Sequence, residues 1–142
     1  LMCLKIFVYG DEVEYQRLKP FAMKLGSAFQ KINFLRDLNN DYNELGRLYF
    51  PNIKAKNISV DDKTKIIIEI ENEFRVALIG IHQLPKTSRF GVYLSYVYYT
   101  TLLKRIKRKS IHDLLNSRIR VSNNMKAVLF AKSFIRNSIN LL

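Results

Sequence analysis

At 142 residues, 48% of them hydrophobic, the chain is the size of one domain and can bury a real core. One cysteine and two histidines exclude an internal disulfide and a soft-ligand structural zinc site, and point to a reduced, cytoplasmic protein. The net charge of +12 is uneven: residues 1–71 carry 11 basic and 10 acidic side chains, residues 72–142 carry 13 and 2. A basic half attracts nucleic acid, an anionic membrane surface or a phosphorylated small molecule, and charge alone does not choose among them.

In chain order, the apolar opening over residues 1–8 is too short to span a bilayer, carries Lys5, and reads as the last turns of a buried helix whose earlier residues lie upstream. Asp11 is a candidate N-cap for a long helix patterned by Val13, Leu18, Phe21, Leu25, Ala28, Phe29, Ile32 and Leu35. Pro20 is expected to kink that helix or to split it near Lys19, and Gly46 to stop it. Residues 47–57, with Pro51, read as an extended loop. Ser59, backed by Asp61 and Asp62, starts a helix running to about residue 84, where Pro85 ends it. A third helix over residues 88–109 is so apolar and aromatic that little of it is expected to face water, and it ends in a cationic run that suits the negative end of its dipole. A short helix at 112–116 and a last one, capped by Ser122 or Asn123 and reaching about residue 140, complete an all-α reading.

Within the long helix, Gln30, Asn33, Asp37 and Asp41 are spaced by three, four and four residues and stack along one stripe. Two carboxylates one turn apart approach a hard cation together, and Mg²⁺ takes oxygen ligands and often shares its sphere with substrate phosphates. Such spacing also occurs on ordinary solvated faces. Here, however, Phe34, Leu35 and Leu38 stand beside the stripe, and carboxylates bordering buried surface need a partner.

The same stretch resembles the second aspartate-rich signature of the phytoene/squalene synthase family, at Leu25, Gly26, Gln30, Asn33, Arg36, Asp37, Asp41, Arg47, Tyr49 and Pro51. The resemblance implies a helical bundle of the isoprenoid synthase type, of which residues 1–142 form an incomplete C-terminal portion. The first aspartate motif would lie in an absent N-terminal part, since the sequence holds a single D-x-x-x-D. For the complete enzyme it implies head-to-head condensation of two geranylgeranyl or farnesyl diphosphates to phytoene or a squalene-like product, as in carotenoid and isoprenoid biosynthesis. Asp37 and Asp41, with Asn33, would hold Mg²⁺, for which Mn²⁺ can substitute, while Gln30, Arg36 and Arg118 would take the diphosphate. Tyr99 resembles a late tyrosine that reaches the diphosphate and cation region. NADPH is not expected. The chain alone is expected to be inactive and to self-associate through exposed apolar surface.

Among the remaining residues, Tyr93, Tyr96 and Tyr98 read as core packing, and His82 and His112 as surface or packing residues. The cationic run at 104–109 reads first as a solvated helix end and second as an attraction to anionic lipid on the inner face of a membrane. The competing function is a basic helical module for nucleic acid or an anionic membrane surface. No recognised nucleic-acid motif supports it, and no specific nucleic-acid partner is expected.

Overall fold

The computed structural model describes the backbone of residues 1–44 and 58–138 and the side chains of residues 1–38 and 58–137. Within these residues every regular element is a helix, which establishes the all-α class: α1 (Met2–Phe7), α2 (Glu12–Glu44), α3 (Val60–His82), α4 (Lys86–Arg108), α5 (Ile111–Asn116) and α6 (Asn123–Ser138). The side chain of Asp41, the stop at Gly46, the loop expected over 47–57 and the end of the last helix near 140 lie outside the described residues. No described helix is long and apolar enough to cross a membrane.

Local chemistry sets most helix ends. The Asp11 carboxylate accepts from the Glu14 amide at 3.0 Å and so starts α2. Ser59 and Asp62 form a reciprocal capping box at α3, and Ser110 and Asp113 form another at α5. Pro85 serves both its neighbours, ending the run of α3 and standing at the N-cap of α4. Between them the Arg89 guanidinium donates to the Leu84 carbonyl at 2.7 and 3.0 Å.

Two expectations change. α2 is one continuous helix with Pro20 inside it, not two pieces. The missing amide of Pro20 deprives the Gln16 carbonyl of its partner, and both residues are exposed, so water can serve the freed group. α1 is a helix, but only Leu4 of its residues is buried, and Val8 follows; Met2 and Ile6 face outward. Leu4 and Val8, one turn apart, pack on Leu18 and Leu84.

The main core lies where α2 crosses α3 and α4. Ala28, Ile32, Leu35 and Leu38 of α2 meet Ile66, Ile70 and Phe74 of α3, and Leu102 and Ile106 of α4 close the layer. Leu114 of α5, with Ile119 and Val121 just after it, seals its lower edge. α4 is less buried than its composition suggests: Tyr93, Leu102, Leu103 and Ile106 are buried, whereas Tyr96, Tyr98 and Tyr99 are only partly buried against the core. α6 lies along α4, its Phe130 and Phe134 set edge-on to Phe90. Lys63, buried on α3, points its ammonium at the Lys107 and Lys109 carbonyls and so caps the end of α4.

Candidate functional site

The buried stripe of α2 fixes which residues flank it. With Ile32, Leu35 and Leu38 turned into the core, Asn33, Arg36 and Asp37 fall on the adjoining edge, three and four residues apart. Two other elements reach them. From α4, the Tyr99 hydroxyl donates to Asn33 Oδ1 at 3.3 Å. From the segment after α5, Arg118 Nε lies 2.7 Å from Asp37 Oδ1.

Asp37 is therefore gripped by two guanidinium groups. Arg36 reaches it through Nη2 at 2.5 Å and Nε at 3.1 Å, one nitrogen to each oxygen. The Asp37 side chain is 23% exposed and Arg118 42%, so the cluster opens to solvent on the Arg118 side. The hydrogen bond to Asp37 raises the Arg36 pKa against the opposing cost of desolvation, and the phenols of Tyr99 and Tyr98 add a smaller push in the same direction.

Aromatic rings back the polar cluster. Phe29, one turn before Asn33, stacks on Tyr99 with centroids 3.9 Å apart and planes at 18°. Tyr98 meets Tyr99 edge-on at 5.5 Å, and Phe74 meets Phe29 edge-on at 6.1 Å. Phe29 also walls an apolar cavity of about 300 Å³ bounded by Phe7, Leu18, Phe21, Ala77 and Ile81. One ring thus separates a greasy cavity from a charged cluster.

Of the residues singled out in the sequence, Asn33, Arg36, Asp37, Tyr99 and Arg118 come together. Gln30 does not join them: it is exposed and makes no hydrogen bond among the described residues. The Asp41 side chain lies outside the described residues. Phe29 escaped notice because it fits the helical apolar pattern, and its partner Tyr99 is 70 residues away in the chain.

The oxygens of Asp37 and Asn33 are hard donors of the kind Mg²⁺ prefers, and they sit one helical turn apart. No group of three His, Cys, Asp or Glu side chains that could hold a metal occurs among the described residues. Asp37 and Asn33 could supply at most two of a cation's oxygen ligands, and both Asp37 oxygens are engaged by Arg36 and Arg118.

Residues 1–124 match the family described as squalene/phytoene synthase. The chain belongs to the squalene/phytoene synthase family. No curated protein and no solved structure matches it. Membership in the squalene/phytoene synthase family makes this a prenyltransferase-type chain of isoprenoid biosynthesis and accords with the all-helical fold. The match stops within the first turn of α6, so most of that helix stands outside the squalene/phytoene synthase region.

Proposed function

We propose that the protein is a Mg²⁺-dependent prenyltransferase that joins two prenyl diphosphates head to head. The observation that carries the reading is that α4 reaches Asn33 and the segment after α5 reaches Asp37, one turn apart on α2 and beside an apolar cavity. Under this reading Arg36 and Arg118 bind and orient the diphosphate through forked, charge-assisted hydrogen bonds. Tyr99 holds the Asn33 side chain in place and Phe29 holds Tyr99. The apolar cavity takes part of the prenyl chain and keeps water from an allylic cation.

Asp37, Asn33 and, on the next turn, Asp41 would hold Mg²⁺, which when bound neutralises charge on the departing diphosphate. The sequence contains one D-x-x-x-D, so under this reading the other metal ligands come from outside that motif. The choice between phytoene and a squalene-like product rests on the substrate offered and on whether the last cation loses a proton or is reduced.

The test is release of pyrophosphate from farnesyl or geranylgeranyl diphosphate by the complete enzyme, with and without Mg²⁺. Asp37→Asn is expected to cut turnover on the order of a hundredfold or more while the helical circular dichroism stays unchanged. Wild-type turnover in that variant would sink the assignment.

A further inference from the structure

α6 is apolar on its outer side as well as its inner one. Met125, Leu129 and Ser133, spaced by four residues, are less exposed than the residues around them and form the line turned toward the bundle. At about 100° per residue, Ala127, Val128, Ala131, Phe134 and Ile135 fall on the far side, with Phe130 at one edge. All six are exposed, and the four large ones are 46–57% exposed. From Ala127 to Ile135 this outer arc spans about 160° of the helix without a polar side chain. Past Phe130 the apolar surface continues into a groove of about 490 Å³, walled by Ala127 and Phe130 against Leu94 and Tyr98 of α4.

Cations border the arc on both flanks. Lys126 lies about 40° beyond Phe130, Lys132 about 40° beyond Val128, and Arg136 one turn after Lys132. The sequence of α6 contains no acid. Nor does an acid reach these cations from elsewhere among the described residues. Lys126 donates to the neutral Asn123 side chain at 3.4 Å, Arg136 stands over the Tyr93 ring at 5.7 Å, and Lys132 has no ion pair.

This charge pattern decides what covers the arc. A second copy of α6 would bring three more cations to the same border and no acid to meet them. A partner helix of the coiled-coil kind needs a seam of two positions in seven, narrower than an arc of about 160°. A layer of anionic lipid meets both demands, since its phosphates lie level with the flanking cations while the arc enters the acyl boundary. No described helix is long and apolar enough to cross a membrane, so α6 would rest along the surface.

We infer that the outer face of α6 lies flat on an anionic lipid bilayer, its apolar arc in the acyl boundary and Lys126 and Lys132 at the phosphates on either side. The contact belongs to α6 and not to the cationic end of α4. Its residues stand beyond the region matched to the family, and it does not depend on the chemistry proposed at Asp37.

The experiment is flotation of the intact protein at physiological salt with vesicles of equal parts phosphatidylcholine and phosphatidylglycerol, alongside vesicles of phosphatidylcholine alone. Binding to the mixed vesicles is expected, with the neutral ones about tenfold weaker or worse. Val128→Gln with Ile135→Gln should weaken binding by about tenfold, and Lys126→Gln with Lys132→Gln by about tenfold or more. Ile68→Gln, at an equally exposed apolar position on α3, should leave it unchanged. Lys104→Gln with Arg108→Gln removes the same charge from α4 about 9 and 15 Å past Tyr98, the level of Lys126, and should cost about twofold or less because salt screens charge at that range. All the substituted positions are exposed, and unchanged circular dichroism confirms that the variants fold. Sedimentation of the protein without lipid completes the test, and a monomer is expected. No binding to the mixed vesicles, equal binding to both kinds, an unaffected Val128→Gln, Ile135→Gln protein, or an equal loss from the α4 pair would each overturn the inference. So would a dimer that this apolar double variant turns into monomers, which would assign the face to a second copy.

Discussion

Gly80→Ala offers the sharpest test of how α2 and α3 are packed. In the middle of a helix, alanine should be the better residue by about 1 kcal/mol. At Gly80, however, a Cβ would stand 2.7 Å from Phe21 Cγ and closer still to Phe21 Cβ. Carbon atoms rest at about 3.5–4.0 Å, so one helix must retreat by about 1 Å. Rotating the Phe21 ring does not relieve the clash, because its Cβ is fixed to the α2 backbone. Overpacking of this kind costs about 1–3 kcal/mol, here toward the upper end, and the net loss after the propensity gain is about 1–2 kcal/mol. For a chain of this size that is a fall in Tm of roughly 3–6 °C. The control is Gly91→Ala in α4, where an added methyl meets nothing within 4 Å and should raise Tm by about 3 °C. Far-UV circular dichroism melts of both variants decide the matter. A Gly80→Ala protein as stable as the parent would refute the close approach of α3 to Phe21.

Glu73→Gln should destabilise the protein by about 2 kcal/mol in urea unfolding. Glu73 is buried with Oε1 on Ser27 and Lys31, both at 2.9 Å, and Lys31 keeps only the exposed Glu69 when that charge is removed. An unchanged midpoint would mean that this ion pair contributes nothing. Acid should unwind the starts of α3 and α5. Hydrogen bonds from the Ser59 side chain and then its amide hold Asp62 below its ordinary pKa of 3.8, and the Ser110 amide and then its hydroxyl do the same for Asp113. A carboxylate with a lowered folded pKa contributes fully above about pH 4, and its contribution is lost as pH falls through the lowered value. Asp62→Asn should therefore be slightly less stable at neutral pH and lose less helicity below about pH 4. Superimposable acid titrations of parent and variant would count against the capping box.

What the sequence reveals divides along the range of the interactions involved. Ser59 with Asp62, and Pro85, mark the ends of α3 because a cap and a missing amide act within a few residues. The all-helical class follows from apolar spacing that persists over several turns. Pro20 does not split α2, because the cost of the carbonyl it frees depends on whether water can reach it, which is a property of the fold. The run at residues 1–8 depends on the fold in the same way. Its composition is apolar throughout, yet only Leu4 and Val8 find partners, Leu18 and Leu84, across the bundle. At the candidate site, the stripe of Gln30, Asn33 and Asp37 is legible from spacing, but spacing does not say where along α2 another element arrives. Tyr99 and Arg118 reach the turn from Asn33 to Asp37, leaving Gln30 a turn short and exposed. Family resemblance supplied Tyr99 and Arg118, and no local signal would have. Lys31 and Glu73, 42 residues apart, look like ordinary surface charges until α2 and α3 are packed together.

The grip of Arg36 and Arg118 on Asp37 imposes an order of arrival under the proposed chemistry. The three described side chains carry a net charge of +1, so a divalent cation that comes alone is repelled by the pair already seated on the carboxylate. Under that chemistry a diphosphate would compete for the same guanidinium groups and draw them off Asp37. The anion thereby uncovers the seat that its counter-ion needs. Under the proposed chemistry Asp37 would take the metal together with its anion sooner than the metal alone.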